Sequence, residues 1–387
     1  MTGTVTVDRT MLAAQQEAIR ESGWGERFHL WQPRNAAFWV WALGVVAGLI
    51  LLVNQIGRVP DVYAPAVIGG VVVWSLFLVP WIVFLRHKDR YVGEPRRLAA
   101  AGFLWGGLAA TFAISLAGNT ALLGIYSKAV SPEFAARWGA ALSAPLVEES
   151  AKACGILLLI ALAPHLVRSA WDGLILGAFV GLGFQLFEDW AYTWRGASVN
   201  LGENQAATVF STAITRGVFG GLVSHALFTA LVGMGIVWLI GRPAEPRRPL
   251  RGILLIVLAV AGHAAWNAAQ GFGGLAFLIA TVVILIVAVI FAERAAATRD
   301  RGWMRDLMAP EVARGTITGR EVDALAGRYA HRRRYIKSAR GRAGRRRARN
   351  VINASLDLAE DIARSGGRET PAVTSARSEV VRARETG

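Results

Sequence analysis

Eight apolar blocks, each close to the length of a bilayer-spanning helix, occupy residues 36–291 and leave this chain few ways to fold. A hydrocarbon core about 30 Å thick takes roughly 20 residues of helix. Inside it every backbone N–H and C=O must be paired, which a helix does within its own segment. The blocks are Ala36–Asn54, Pro65–Leu85, Leu98–Ala117, Trp138–Leu162, Trp171–Trp194, Val209–Ile240, Gly252–Gln270 and Gly273–Phe291. Val209–Ile240 is longer than one span needs, so it is either tilted or begins outside the core. The last two blocks almost touch, which predicts a tight turn at Gly271-Phe272-Gly273-Gly274. With 54% hydrophobic residues and a mean hydropathy of +0.40, the expected fold is all-α. It is a polytopic membrane bundle of about eight transmembrane helices around a polar intramembrane cavity. The first block starts after Asn35 without a small-residue cleavage site, so it reads as an anchor.

The charges orient the bundle. Formal net charge is +15, nearly all of the basic residues are Arg, and the lysines are Lys88, Lys128, Lys152 and Lys337. Basic loops hold Arg86, Lys88, Arg90, Arg96 and Arg97, then His165 and Arg168, then Arg242, Arg247, Arg248 and Arg251. With eight spans these loops share a side with the N-terminal segment and with the Arg-rich tail. By the positive-inside bias both termini are expected in the cytoplasm of a multi-pass cell-membrane protein. Three regions follow: 1–35, a cytoplasmic N-terminal segment; 36–291, the transmembrane domain; and 292–387, a basic cytoplasmic tail. The tail's last twenty or so residues are expected to be disordered. Its runs Arg332-Arg333-Arg334 and Arg345-Arg346-Arg347 are read as attracted to anionic lipid headgroups rather than to nucleic acid.

Several classes are excluded. Cys154 is the sole cysteine, so there is no internal disulfide and no multi-cysteine zinc site. The chain has no P-loop, no dinucleotide fingerprint, no internal repeat and no His-Glu-x-x-His zinc-protease helix.

Against that background the fourth block is anomalous. It carries Pro145-Leu146-Val147-Glu148-Glu149-Ser150-Ala151-Lys152. An acid or base at a helix centre costs about 2.5–3.5 kcal/mol on the insertion scale, so three in five residues mark a functional site. At 100° per residue Glu148, Glu149 and Lys152 fall within one quadrant. Glu148 and Lys152 form an i,i+4 pair with the acid first, the favourable order. The expectation is that Lys152 neutralises Glu148 and leaves Glu149 as the working base.

Three further blocks add polar groups. The fifth carries Phe184, Glu188 and Tyr192 on one face, with Gln185 and Asp189 beside them. The sixth carries Ser224-His225, with Thr229 a turn later. The seventh carries His263 and Asn267, with Gln270 on the same stripe. A lone membrane histidine is as often a packing residue as a functional one. Two of them facing a double-Glu helix and a third acid fit water activation. A carboxylate in low dielectric serves as general base. Imidazoles orient the water or bind a metal, and Asn267 is an amide donor to an oxyanion. A zinc site from Glu188, His225 and His263 is chemically allowed, as is a metal-free water on Glu149.

The ordered set Glu148-Glu149-x-x-Lys152, Phe184 to Glu188, His225, and His263 to Asn267 resembles the PrsW family of intramembrane proteases. That family is a distant relative of the CAAX prenyl-protease and bacteriocin-processing group. The likeness covers about Ala99 to Phe291 and leaves out residues 1–35 and the Arg-rich tail. It implies hydrolysis of a peptide bond in or near the membrane, on membrane-anchored substrates such as anti-sigma factors. Asp189 stands where such relatives often carry Asn. The family is called metalloprotease, while double-Glu relatives are also described as metal-free glutamate proteases. The competing class is a proton-coupled transporter or channel, since Glu, His and Lys also build proton relays. The absence of an internal repeat or of paired broken helices counts against it.

Overall fold

In the computed structural model, residues 7–89, 96–219, 225–269, 274–327 and 329–385 are described. All the regular elements among them are helical. They are α1 (Arg9–Ser22), α2 (Ala36–Ile56), α3 (Ala64–Asp89), α4 (Arg96–Leu104), α5 (Leu116–Ala129), α6 (Pro132–Leu162), α7 (Ala170–Val199) and α8 (Gln205–Thr212). There follow α9 (His225–Ile240), α10 (Pro249–Ala269), α11 (Gly274–Ala313), α12 (Gly319–Ala326), α13 (Tyr329–Ser338), α14 (Gly341–Arg364) and α15 (Pro371–Glu385). Two π-helical stretches, Trp105–Ser115 and Ala213–Phe219, join α4 to α5 and extend α8. The chain divides into two compact units. One comprises residues 28–88 and 95–293, the other residues 1–27, 89–94 and 294–387.

The larger unit is a multi-pass bundle. Among the described residues, six of its helical segments are long and apolar enough to cross a membrane: Ala36–Ile56, Asp61–His87, Arg96–Ala129, Ala170–Val199, Pro249–Ala268 and Ile279–Ala313, the last running on into the smaller unit. Two more of the expected eight behave differently. α6 has the length but also the buried charges. The expected long span Val209–Ile240 is described on either side of residues 220–224: α8 and its π-helical extension cover the stretch to Phe219, and α9 covers that from His225. The turn expected at Gly271–Gly274 lies outside the described residues apart from Gly274, as do Arg90, Ser224 and Gln270.

Helix α7 is the axis of this bundle. Its apolar window is 89% buried, against 17–22% for those of α2, α3 and α10, so α7 is enclosed by protein while the others turn apolar flanks outward. Ser169 and Asp172 form a reciprocal capping box at its start. Its Gly173, Gly177 and Gly181 form a small-residue stripe that lets α9 approach backbone to backbone. A Cβ at Gly177 would lie 2.2 Å from the Thr229 carbonyl oxygen, and one at Gly181 would lie 2.1 Å from that of His225. The stripe therefore sets the depth and facing of the two polar residues on α9.

The smaller unit is a helical domain around the amphipathic α14. Val351, Ile352, Ser355, Leu358, Ala359 and Ile362 line its buried face at three- and four-residue spacing. Trp24 packs edge-on against Trp303, whose indole N–H donates to Glu21. Glu311 is fully buried and held by Arg314 and Arg377. The terminal segment, read from its composition as disordered, is the helix α15. It buries Val373, Val380 and Ala383, which share one face, and is clamped by Arg377 on Glu311 and Arg384 on Glu321.

Candidate active site

The buried charges of α6 lie where α6, α7, α9 and α10 converge. Pro145 sits inside α6 one turn before the acids, where it removes one helical hydrogen bond. Glu148, Glu149 and Lys152 are 3%, 2% and 0% exposed, so each must find its partners within the protein.

Lys152 finds four. Its Nζ lies 2.8 Å from Glu149 Oε1, 2.9 Å from His225 Nδ1 and 3.7 Å from Glu148 Oε2, over the Phe184 ring at 3.8 Å from the centroid. The ammonium thus sits between the two acids, as the helical spacing predicts. Its tight partner is Glu149, not the i,i+4 acid Glu148. The pairing expected from sequence is reversed, because His225 and the Phe184 face draw Nζ across towards Glu149.

Glu149 is saturated. Oε1 also accepts from His263 Nδ1 at 3.1 Å, and Oε2 accepts from the Thr229 hydroxyl at 3.1 Å. Glu148 is not. Its Oε1 accepts from Asn119 Nδ2 at 3.0 Å, but its buried Oε2 has no hydrogen-bond partner among the described residues. That oxygen faces His263 Nε2 at 3.7 Å and His225 Nδ1 at 3.8 Å.

Each imidazole is oriented by a carboxylate on its far side. His263 gives its Nδ1 proton to Glu149, which leaves Nε2 as an acceptor towards Glu148. His225 gives its Nε2 proton to Glu188 Oε2 at 3.0 Å, which leaves Nδ1 to accept from Lys152. A carboxylate behind a histidine is the usual device for holding one tautomer and one ring orientation. The rings are further fixed by packing: His263 stacks on Phe228, and His225 meets Phe184 and His263 at 4.8 and 4.9 Å between centroids.

Glu188 depends on a residue that the sequence reading missed. Arg216, in the second π-helical stretch, bonds Glu188 Oε2 at 2.6 Å through Nη2 and Asp189 Oδ1 through Nε, and stacks over Tyr192. Asp189 is 1% exposed and held in this pair. Phe184, Glu188 and Tyr192 do share a face, and each of the three carries or receives a cation or a histidine. Asn267 is not part of the cluster. Its Nδ2 donates to the Ala140 carbonyl at 3.2 Å, one turn beyond His263. Arg216 did carry a signal, as a charge inside the expected span Val209–Ile240, whereas Asn119, just past the third block and beside Thr120, carried none.

The donor set bears on a metal. Glu188, expected as the carboxylate ligand with the two histidines, is engaged by Arg216 and by the far nitrogen of His225. Glu148 takes its place: a Glu148 oxygen and one nitrogen each of His225 and His263 lie within 4.8 Å of one another. Around a tetrahedral zinc with bonds near 2.1 Å the ligand atoms stand about 3.4 Å apart, so a small contraction suffices. The orphaned Oε2 and the carboxylate-backed imidazoles fit such an ion, which would take His225 Nδ1 from Lys152. What the site offers chemically is a niche bounded by one carboxylate oxygen without a hydrogen-bond partner among the described residues, one histidine acceptor and a buried ammonium.

A family model described as "PrsW family intramembrane metalloprotease" matches residues 94–292, just over half of the chain and all of the cluster above. No curated protein and no solved structure matches.

Proposed function

The chain belongs to the PrsW family of intramembrane metalloproteases, and from that premise we propose that it hydrolyses a peptide bond of a membrane-anchored protein using water activated by Glu148. One observation carries the choice of base. Glu149 spends both oxygens on Lys152, His263 and Thr229, whereas Glu148 Oε2 is buried, unbonded and directed at the imidazole niche.

A water in the niche donates one hydrogen to Glu148 Oε2 and the other to His263 Nε2, which stand 3.7 Å apart. Glu148 takes the first proton as the water oxygen attacks the scissile carbonyl carbon. Lys152 has three N–H donors, two of them on Glu149 and His225, and the third offsets the developing oxyanion charge. Glu148 then returns its proton to the amine as the C–N bond breaks, leaving a carboxyl and an amino terminus. Glu149 and Glu188 hold the two imidazoles, and Arg216 holds Glu188. A zinc ion, when bound, would be held by Glu148, His225 and His263; it would occupy the oxygen that otherwise serves as the base and would itself acidify the water.

The substrate class that the family suggests is membrane-anchored regulators such as anti-sigma factors. Residues 36–291 form the protease domain in this scheme, set in the cell membrane with both termini in the cytoplasm. The exposed Arg333, Arg334, Arg345 and Arg346 of the tail meet anionic headgroups at about 1 kcal/mol each.

The test is cleavage of single-span reporter proteins by the full chain in proteoliposomes. Glu148→Gln should abolish cleavage while the protein still accumulates in the membrane. Wild-type cleavage by that variant overturns the proposal.

A further inference from the structure

Glu148 is held at one end, and the residue that holds it belongs to none of the motifs above. Asn119 on α5 donates through Nδ2 to Glu148 Oε1 at 3.0 Å. The backbone explains how the two meet. Gly118, just before Asn119, packs against Val147, just before Glu148, and a Cβ at Gly118 would lie 2.6 Å from Val147 Cγ1. Helices α5 and α6 therefore touch at Gly118 and Val147, and the next residue on each reaches the other. The eleven-residue π-helical stretch that feeds α5 ends at Ser115, four residues before Asn119. Its wider turns rotate all that follows away from an α-helical path, so this stretch sets the aim of Asn119. Such π segments recur at functional sites.

The terminal torsion of a glutamate is broad, so burial by itself does not fix the tilt of the carboxylate or whether one of its two equivalent oxygens faces the niche. The nearest competitor is Lys152, 3.7 Å from Oε2 and with a donor to spare. Left unheld, the Glu148 carboxylate closes onto that ammonium and loses the free oxygen. The Asn119 amide opposes this by anchoring Oε1 from the opposite helix. We infer that Asn119 is a positioning residue, whose N–H fixes the Glu148 conformer that presents Oε2 to the reacting water. The inference rests on the assignment of Glu148 proposed above.

Two substitutions close to Asn in size separate positioning from space-filling. Asn119→Leu removes the donor, and Asn119→Asp replaces it with a second carboxylate against Glu148. The full chain is reconstituted in proteoliposomes with a single-span reporter bearing a fluorophore and quencher, chosen for cleavage by the wild type. The expected result is a kcat lower by about 100-fold for Leu, the scale of a misplaced reacting group, and lower again for Asp. KM should stay at the wild-type value in both, and the thermal midpoint in detergent should stay there in Asn119→Leu. Wild-type kcat per folded molecule in Asn119→Asp, or a rise in KM with kcat unchanged, overturns the inference. Glu148→Gln in the same assay keeps the two ideas apart. If it is active, the assignment of Glu148 falls. If it is dead while both Asn119 variants are fully active, only the positioning role falls.

Discussion

Lys152 Nζ sits 2.8 Å from Glu149 Oε1, and neither side chain is more than 2% exposed. A pair this deep is costly to break from one side, because the survivor is left as an uncompensated buried charge. Glu149→Gln should therefore destabilise the protein by about 3–5 kcal/mol as well as inactivate it. Adding Lys152→Met should recover much of the stability and none of the activity. Thermal unfolding in detergent alongside cleavage checks this, and a stable single Glu149→Gln variant would contradict the pairing.

The glycine stripe of α7 makes a steric prediction. Gly181→Val puts a branched side chain where its Cβ would already meet the His225 carbonyl, so α9 must retreat and carry His225 and Thr229 with it. Activity should be lost, with overpacking destabilisation of about 1–3 kcal/mol or more. Gly302→Ala has open space around its Cβ and should be silent in both respects.

Arg216 pairs with Glu188 and Asp189 together, so its loss leaves two acids facing each other beside His225. Arg216→Gln should lower kcat by about 10–100-fold, the range for supporting groups behind site histidines. Arg216→Lys, a point charge that cannot fork between the two acids, should recover part of that loss. Equal activity of the Gln variant and the wild type would show that Glu188 holds His225 unaided.

Metal content follows from the donor set. Purified wild-type protein should bind one zinc when the ion is supplied. Glu148→Gln and His263→Ala should each lose the ion, and Asn267→Ala should keep it. Elemental analysis reads the outcome, and a Glu148→Gln protein that retains zinc would move the ion elsewhere.

In the smaller unit, burial works to raise the Glu321 carboxyl, but Arg384 and the Thr318 cap outweigh it and hold it below its ordinary value of 4.5. Glu321 is thus more acidic folded than unfolded. Its contribution to stability is complete above about pH 4.5 and is lost as the pH falls through the depressed value. Protease protection of α15 should weaken on that acid side, and Glu321→Gln should flatten this pH dependence. Tyr335 is pushed up to about 12, by burial and by the charge of Glu321 beside it, so its contribution to stability is complete below its ordinary value of 10 and is lost as the pH rises through the raised one.

Much of the bundle was legible because lipid permits so few backbone solutions. Apolar blocks of about 20 residues become helices whatever packs beside them, and those around α2, α3, α7 and α10 fall where their hydropathy puts them. The π-helical stretch Ala213–Phe219 in the sixth block was not legible, because hydropathy does not distinguish a π-helical stretch from an α-helical one. The helix α15 escaped for a related reason, since its three buried residues matter through the partners they meet and not through their number.

The chain by itself determined which residues pay the cost of burial. Glu148, Glu149, Lys152, Glu188, His225 and His263 stand out because a charge or imidazole in an apolar helix requires a reason, and all six do meet. The tertiary structure decided how they share the work. Whether Lys152 neutralises Glu148 or Glu149 depends on His225 and Phe184, which arrive from other helices, and on the α7 glycines that admit α9. Whether a carboxylate stays free depends on Asn119, brought in by the contact of Gly118 with Val147. Helical spacing fixes angles within one helix, but the partners of a buried charge come from its neighbours, and their approach is a property of packing.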